Sequence, residues 1–393
     1  MPLPLYLLAL AVFAMGTSEF MLAGLLPDIA DDLGVAVGTA GALTSAYAVG
    51  MAVGAPLTAA LARNRPGRSS LLGFVLVFLA CHAVGAATSS FPVLFATRVV
   101  AALANAGFLA VALTTAAALV PADRKGRALA VLLSGTTLAT VAGVPGGSLL
   151  GTLFDWRATF WAVALLCLPA ALGVLTGIPA HRGQDTPADG GPSLRREIAR
   201  LRQPRLLLLV LLAALVNAGT FACFTFLAPV VTGTAGLGEL WISVVLVLFG
   251  AGSFVGVTVA GRLSDRRPDV VLSVGGPLLL VGWTALAVLA DLPAALLALV
   301  CVQGALSFAV GSTLITRVLY EAAGAPTMAG SYATAALNVG AAAGPLLAAV
   351  SLRTGAGASG PLWTGALLVA AALLVALPLR AVVVPRRRTE AAQ

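Results

Sequence analysis

The sequence has 393 residues, of which 60% are hydrophobic and 10% are charged. No folded surface in water hides so much apolar side chain, so this composition excludes a soluble globular protein and indicates a lipid environment. The formal net charge of +8 does not indicate nucleic-acid binding, because the basic residues lie in short clusters between apolar stretches.

Twelve apolar stretches follow one another along the chain, and each is long enough to cross about 30 Å of hydrocarbon as a helix. They predict an all-α membrane protein with twelve transmembrane helices in two pseudo-symmetric six-helix bundles. The predicted spans of the first bundle are 4–26, 39–62, 69–88, 92–118, 128–151 and 157–178. Those of the second bundle are 206–231, 240–260, 270–290, 293–318, 328–351 and 361–384.

The distribution of charge divides the chain into four parts. They are an N-terminal bundle (1–180), a polar linker (181–204), a C-terminal bundle (205–384) and a basic tail (385–393). Lys and Arg concentrate in alternate loops, in the linker and in the tail, which predicts that both termini and the linker lie on the cytoplasmic side of the cell membrane. An even number of spans agrees with that orientation.

The two bundles repeat at an offset of about 201 residues. Residues 60–68 align with residues 261–269, and each segment joins the second and third helices of its bundle. Gly143 in the fifth predicted span corresponds to Gly344 in the eleventh. Two similar halves are the expected plan of a transporter that rocks around a central site.

Two charged side chains, Glu19 and Arg98, lie deep inside predicted spans. About nine residues separate each of them from the outer surface, which at 1.5 Å per residue places both roughly 13 Å below it. A charge at that depth is unfavourable unless it is paired or hydrated, so both are candidate functional residues. We expect them to face each other across the first bundle.

A lone buried carboxylate such as Glu19 is suited to carrying a proton, because burial disfavours its ionised form while a nearby arginine favours it. Movement of Arg98 relative to Glu19 would then switch the proton affinity between two conformations. The alternative is a static buried ion pair that fixes helix packing.

Gly135, Ala139, Gly143 and Gly147 form a stripe of small residues at a spacing of four on the fifth predicted span, with Pro145 beside it. Such a stripe permits close approach of a neighbouring helix, and the proline weakens the local backbone. We interpret the stripe as a gating element at which helices slide past each other. Ordinary small-residue packing is the alternative.

Polar amides and aromatic rings inside the spans are candidates for substrate binding. Amides donate and accept hydrogen bonds, and rings supply apolar walls. The candidates are Tyr47, Asn105, Phe108, Asn217, Phe221, Phe224 and Asn338, with Gln303 as a further amide of this kind. For each of them, interhelical hydrogen bonding or lipid-facing packing is an alternative. We interpret His82 and the four scattered cysteines as packing residues.

The sequence contains no motif for enzymatic chemistry or cofactor binding. A P-loop needs Gly-Lys-Ser or Gly-Lys-Thr, and the single lysine, Lys125, follows Arg124. A His-Glu-x-x-His metal motif and closely spaced cysteines are also missing from the sequence. We therefore expect a transporter that uses no cofactor and no metal. A non-transporting membrane sensor is a distant alternative.

The loop motifs resemble those of the major facilitator superfamily, and specifically of its twelve-helix drug:proton antiporters. Residues 261–266 (G-R-L-S-D-R) match the family's G-x-L-x-D-R motif. The first-bundle copy has Ala60 at the Gly position and Asn64 at the Asp position, so it lacks the acidic residue of the usual charge lock. The gating residues implied by the two copies are Asn64, Arg65, Gly67, Arg68, Gly261, Asp265 and Arg266.

Further segments carry the same resemblance. Arg98 with Asn105 resembles the fourth-helix arginine motif, which the family associates with proton coupling. Residues 135–147 resemble the fifth-helix antiporter signature of exporters, and residues 155–160 resemble the start of the family's sixth helix. Residues 16–30 are similar to the first helix of bacterial chloramphenicol-resistance and sugar-efflux exporters. An Arg-rich chain with a single lysine is typical of a GC-rich genome, which points to the actinomycete chloramphenicol-resistance exporters.

The resemblance implies proton-coupled efflux of a small amphiphilic drug, with chloramphenicol as the expected cargo. It implies a drug, protons and the lipid bilayer as partners, no nucleic acid, and a functional monomer that takes its energy from the proton gradient. The alternative within the same superfamily is an exporter of sugars or other metabolites.

Overall fold

The computed structural model describes residues 2–62, 66–121, 124–178, 203–263, 268–322 and 329–377. Within these ranges all regular secondary structure is helical, and twelve helices are long and apolar enough to cross a membrane. The predicted fold class is therefore confirmed. The predicted tail, nearly all of the predicted linker, and Asn64, Arg65, Asp265 and Arg266 lie outside the described residues.

The first bundle contains helices α1 to α6. Five of them are continuous: α1 Leu3–Phe20, α2 Val37–Ala62, α3 Gly67–Ala87, α4 Phe91–Ala118 and α6 Trp156–Gly177. Helix α5 has three parts, which are Lys125–Leu138, a π-helical turn Ala139–Gly143, and Val144–Phe154.

The second bundle contains helices α7 to α12. Their bounds are Pro204–Thr225, Leu240–Leu263, Pro268–Leu289, Pro293–Glu321, Ala329–Ser351 and Gly360–Ala376. After α7 the chain forms a short helical segment, Leu227–Pro229, and a second π-helical turn, Val230–Thr234, before it reaches α8.

The connection between α1 and α2 differs from the prediction. Helix α1 ends at Phe20, continues as a 3-10 turn Met21–Gly24, and is followed by a separate short helix Leu26–Asp32. Pro27 stands in the first turn of that short helix, where backbone N–H groups have no partner within the helix, so its missing N–H costs no hydrogen bond. Asp28 adds a negative charge to the same turn, which is favourable at a helix N-terminus. The first apolar span of the structure, Leu3–Gly24, agrees with the predicted span 4–26 to within two residues, but an apolar run does not reveal where one helix ends and the next begins.

Helix α5, predicted over 128–151, changes helix type within the span, close to the proline that was expected to weaken its backbone. At its π-helical turn the N–H of Val144 donates to the carbonyl of Ala139, five residues earlier. Pro145 follows directly, and because it lacks an N–H it cannot donate in the ordinary helical pattern. A local change of helix type thus accompanies the proline.

The two bundles use the same helix contact. Gly143 of α5 meets the side chain of Thr17 on α1, and Gly344 of α11 meets the backbone of Ala218 on α7. Each residue of the second pair follows its counterpart in the first at the offset of the sequence repeat. An added Cβ would overlap the Thr17 side chain in the first bundle and the Ala218 backbone in the second, so glycine permits the close approach in both places.

Each bundle has its own hydrophobic core, and the two cores touch. Ala222, Phe226 and Ala348 of the second bundle pack into the first core, while Ala23 and Val144 pack into the second. Most of these residues lie near the end of the bundles at which α1, α7 and α11 finish, which we name the distal end. The end at which those helices begin is the proximal end. The bundles are therefore joined mainly in their distal half.

Candidate functional site

A cavity of about 270 Å³ lies between the two bundles. Glu19 and Phe20 of α1 form its wall in the first bundle, and four helices of the second bundle form the rest. The second-bundle lining residues are Asn217, Thr220, Phe221, Val257, Ser307, Phe308, Gly311, Ser312, Ile315, Leu337, Asn338 and Ala341. Apolar and aromatic walls with a few polar groups are typical of a site for a small organic molecule.

The cavity extends from Glu19 toward the proximal end. Glu19 lies near the end of α1, about 24 Å from Leu3 at 1.5 Å per residue. Ile315 lies much closer to the proximal end, two turns or less from the last residue of α10, and Val257 is similarly placed on α8. The cavity therefore points toward the proximal face.

Side chains from both bundles close the cavity on its distal side. The rings of Phe20 and Phe221 lie 5.8 Å apart across the interface between the bundles. Farther toward the distal face, the Phe226 ring packs onto Gly41 of α2, where an added Cβ would overlap it. The structure thus has a cavity that is shut distally.

Glu19 lines the cavity and is partly exposed in it. Among the residues that the structure describes, Glu19 is the only carboxylate that lines the cavity. In the described part of the chain it forms no ion pair with Arg98, although the two are close enough for their charges to interact. The expected arrangement of two charges facing each other is therefore realised as neighbouring charges without a direct contact.

Arg98 is buried inside the first bundle beside α1, with 1% of its surface exposed. Its Nη1 donates to Ser18 Oγ at 2.7 Å and its Nη2 donates to the Ser18 carbonyl oxygen at 2.8 Å. The guanidinium also lies over the Tyr47 ring, 4.3 Å from the ring centroid. These contacts stabilise a buried positive charge at the residue directly before Glu19.

Three of the predicted substrate-binding residues lie in the core of the first bundle. Asn105 Nδ2 donates to Tyr47 Oη at 3.0 Å, and that hydroxyl donates to the Met15 carbonyl oxygen at 3.4 Å. Phe108 has no exposed surface. None of the three lines the cavity in this conformation, so their contact with a substrate stays a prediction.

The amides predicted in the second bundle do line the cavity. Asn217 Nδ2 donates to the Leu337 carbonyl oxygen at 2.6 Å, and Asn338 Nδ2 donates to the Thr334 carbonyl oxygen at 2.9 Å. Because a carbonyl only accepts, the NH₂ group of each amide must face it, and each Oδ1 is left as a hydrogen-bond acceptor. Both asparagines thus offer the cavity an acceptor.

Gln303 occupies a different place from the cavity amides. It has no exposed surface, and its Nε2 donates to the Leu279 carbonyl oxygen of α9 at 3.0 Å. Gln303 thus forms an interhelical hydrogen bond, which was the predicted alternative to substrate contact.

A group of phenylalanine rings covers the distal wall of the cavity. Phe224 lies 6.2 Å from Phe20 and 4.8 Å from Phe249, and Phe249 lies 6.2 Å from Phe308, each measured between ring centroids. Phe221 lines the main cavity, whereas Phe224 lines an adjoining space of about 20 Å³.

Sequence reasoning missed several lining residues. Phe20 and Phe308 contribute rings, and Ser307 and Ser312 contribute hydroxyl groups. Ser307, Gly311 and Ile315 follow one another at a spacing of four on α10, so they share one face of that helix. This spacing could have identified the lining face of α10. The helix is apolar on nearly all sides, however, so its sequence does not show which face points into the cavity.

The small-residue stripe of α5 packs along α1. A Cβ on Gly135 would overlap the Ala9 carbonyl oxygen, and one on Gly143 would overlap Thr17. Gly147 faces Thr159 of α6, whose hydroxyl donates to the Gly147 carbonyl oxygen at 2.6 Å. The stripe holds three helices together beside the cavity, and Pro145 is buried within it.

The described loop-motif residues lie at the proximal end and are not among the residues that line the cavity. Gly67 begins α3 and lies near Thr115 of α4, and Arg68 follows it. Gly261 lies near the end of α8, and no neighbouring atom would meet a Cβ placed there. Their predicted gating role stays a prediction.

A polar cluster on the distal face ties three connections of the first bundle together. Arg157 Nη2 lies 2.7 Å from Asp32 Oδ2 and donates to the Thr88 carbonyl oxygen at 3.3 Å, and Trp156 Nε1 donates to the same Asp32 oxygen at 3.3 Å. The hydrogen bond from Arg157 holds the pKa of Asp32 below its ordinary value. The cluster joins the short helix after α1 to the start of α6.

Known proteins match the chain over most of its length. The family model for the Major Facilitator Superfamily matches residues 8–335. A chloramphenicol resistance protein of Streptomyces lividans is 79% identical over 383 residues, which cover 98% of this chain and 97% of that protein. The inner membrane transport protein YdhP of Escherichia coli (strain K12) is 32% identical over 372 residues, which cover 95% and 94%.

A solved structure shows the same architecture. A bacterial homolog of the human lysosomal transporter Spinster, in an inward-facing and unoccupied conformation, has a TM-score of 0.70 and 16% sequence identity to this chain. The match covers 98% of this chain and 97% of the other. At that identity the likeness shows the shared fold alone.

Proposed function

The chain belongs to the Major Facilitator Superfamily, and from that premise we propose that it exports chloramphenicol across the cell membrane in exchange for protons. It is a transporter and not an enzyme, and its twelve apolar helices make it a multi-pass membrane protein. The choice of drug is supported by the Streptomyces lividans relative, which is named for chloramphenicol resistance.

The position of Glu19 carries the proposal of proton coupling. This carboxylate lines the cavity and is also a neighbour of the buried Arg98. A carboxylate that opens into the drug site exchanges its proton with whichever compartment the drug site faces. The proton and the drug then depend on the same change of conformation, which is what coupled exchange requires.

The shape of the cavity supports alternating access. The clusters of Lys and Arg in the loops favour a cytoplasmic position for the proximal end, so the cavity faces the cytoplasm in this conformation. The drug binds there, and a rocking of the two bundles opens the distal side and releases it outward. Protonation of Glu19 from outside then favours the return.

The chemistry of the walls suits a neutral amphiphilic drug. Chloramphenicol has an aromatic ring, two hydroxyl groups and an amide N–H. Phe20 and Phe221 offer ring faces to such a molecule, and the Oδ1 atoms of Asn217 and Asn338 offer acceptors to its hydroxyl groups. A volume of about 270 Å³ approaches the lower end of the range for small-molecule sites, about 300 Å³.

A sugar or another metabolite is the second candidate cargo, and the hydroxyl and amide groups of the cavity favour it. Ser307, Ser312, Asn217 and Asn338 would each serve the many hydroxyl groups of a sugar. A sugar cargo would give the phenylalanine rings of the distal wall no role in binding.

Uptake by inverted membrane vesicles tests the proposal. With an acidic lumen, vesicles that contain the protein should accumulate labelled chloramphenicol, and a protonophore should collapse the accumulation. Vesicles without the protein provide the control. Accumulation that ignores the proton gradient would refute the coupling, and gradient-driven accumulation of a labelled sugar but not of chloramphenicol would establish the second cargo instead.

A further inference from the structure

His82 of α3 is buried inside the first bundle, with 1% of its surface exposed. Its Nδ1 lies 2.8 Å from the Phe78 carbonyl oxygen, and its Nε2 lies 2.7 Å from Ser18 Oγ. Because a carbonyl only accepts, Nδ1 must carry a hydrogen, and in the neutral imidazole Nε2 is then an acceptor. The Ser18 hydroxyl therefore donates to His82, which is more than the packing role expected from the sequence.

Ser18 connects His82 to Arg98. Once its hydrogen points toward His82, the lone pairs of its oxygen have a fixed direction, and one of them accepts from Arg98 Nη1 at 2.7 Å. The Ser18 carbonyl oxygen accepts from Arg98 Nη2 at 2.8 Å. One residue thus binds the guanidinium twice, and that residue directly precedes Glu19.

Few other groups fix the position of Arg98. Its Nε is buried and has no hydrogen-bond partner among the described residues, and Tyr47 contacts it through the ring face. Besides His82, the titratable groups close enough to influence it are Glu19 of α1, Tyr47 of α2 and Cys81 of α3. Glu19 is the carboxylic acid among them, so its ionised form attracts the guanidinium whenever the Ser18 bonds weaken.

We propose that His82 is a positioning residue for proton coupling, which keeps Arg98 bonded to Ser18 and apart from Glu19 by accepting the Ser18 hydroxyl. The proposal rests on the role of Glu19 as the proton carrier. Without the acceptor, the Ser18 hydroxyl turns to a carbonyl of its own helix, as serine hydroxyls in helices do. The guanidinium then moves toward Glu19 and stabilises its ionised form, so protonation requires a lower pH.

Three variants separate this role from simple packing. His82→Phe removes the acceptor and keeps an aromatic ring, Ser18→Ala removes the connecting hydroxyl, and His82→Gln keeps an acceptor for Ser18 and an NH₂ group for the Phe78 carbonyl. The readout is the pH dependence of gradient-driven chloramphenicol uptake. His82→Phe and Ser18→Ala should each move the midpoint to lower pH by about one unit. The double variant that combines His82→Phe with Ser18→Ala should move the midpoint no farther than either single variant. His82→Gln should have the wild-type profile.

A second readout works even if the protein transports nothing. The carboxyl band of Glu19 in the infrared spectrum, identified by its loss in Glu19→Gln, reports protonation of Glu19 directly. Its titration midpoint should shift in His82→Phe and in Ser18→Ala as the uptake profile does. Absent uptake by the wild type would refute the proposed function alone, because the infrared titration still decides the role of His82.

One result would overturn the proposal. It is a Glu19 titration midpoint in His82→Phe that equals the midpoint of the wild type, measured on protein that is monodisperse and melts as a folded protein. If His82→Phe does not fold, Ser18→Ala decides in its place, since it removes only a hydroxyl group. An unshifted midpoint in Ser18→Ala is then the overturning result.

Discussion

Gly143 of α5 contacts Thr17 of α1 so closely that a Cβ on the glycine would overlap Thr17 Oγ1. The contact lies two residues before Glu19, at the end of the π-helical turn of α5. The close packing of α1 against α5 therefore lies next to the carboxylate of the cavity. A change at this contact should affect both stability and transport.

Gly143→Ala should destabilise the protein and reduce transport. The added methyl group meets Thr17 Oγ1, so either the Thr17 side chain or the spacing of α1 and α5 has to change, and overpacking of this kind typically costs about 1–3 kcal/mol. Thermal melting of the purified protein and chloramphenicol uptake by vesicles measure the two effects. Thr17→Ala in the same chain should restore part of both, because it removes the atoms that the methyl group meets.

Gly146→Ala is the matched control for this prediction. Gly146 lies three residues away, on the other side of Pro145, and no atom lies within 4 Å of a Cβ placed on it. We expect near wild-type stability and uptake. Equal losses in the two variants would show that the close contact at Gly143 is unimportant.

Asp32→Asn should lower stability at neutral pH and leave it unchanged at low pH. The hydrogen bond from Arg157 lowers the pKa of Asp32 in the folded protein, so the pair stabilises the folded state above the unfolded-state pKa of about 3.9. That stabilisation is lost as the pH falls through the lowered folded-state pKa. Because the pair is partly exposed, we expect an effect of about 0.5 kcal/mol at pH 7.

Melting curves between pH 3 and pH 7 measure this effect. Asp31→Asn provides the control, since Asp31 is its exposed neighbour and lies outside the Arg157 cluster. A loss of stability in Asp32→Asn that stays constant down to pH 3 would contradict the assignment of the effect to the ionised carboxylate.

Asn338→Ala should weaken drug binding without changing the pH dependence of transport. It removes one acceptor from the cavity wall, and a lost hydrogen bond of about 1 kcal/mol corresponds to a KM for chloramphenicol about fivefold higher. Val339→Ala is the control, because Val339 is 55% exposed on the outer surface of the bundle. The cavity assignment is wrong if the two variants have the same KM.

The sequence predicted those features of the fold that depend on hydrophobicity and on charge. The length of each apolar run predicted twelve spans, and the isolation of Glu19 and Arg98 within them singled out a carboxylate that lines the cavity and an arginine buried next to it. Gly143 was also predictable, because close helix packing in membranes requires small residues at regular spacing.

The walls of the cavity were harder to predict for a physical reason. Spans such as α10 are apolar on lipid-facing and inward-facing sides alike, so hydrophobic periodicity does not distinguish the two. Phe308 and Phe20 line the cavity, whereas Phe108 is in the first core, and no local pattern separates them. The hydrogen bond between His82 and Ser18 joins residues of different helices, which only the three-dimensional structure brings together.

The central claim is that Glu19 couples drug export to proton movement. Uptake of labelled chloramphenicol by inverted vesicles that contain Glu19→Gln tests it most directly, with drug binding to the purified variant as the control for folding. We expect Glu19→Gln to bind chloramphenicol as the wild type does and to show no accumulation in response to an imposed proton gradient. Accumulation at the wild-type level, driven by the same gradient, would contradict the claim.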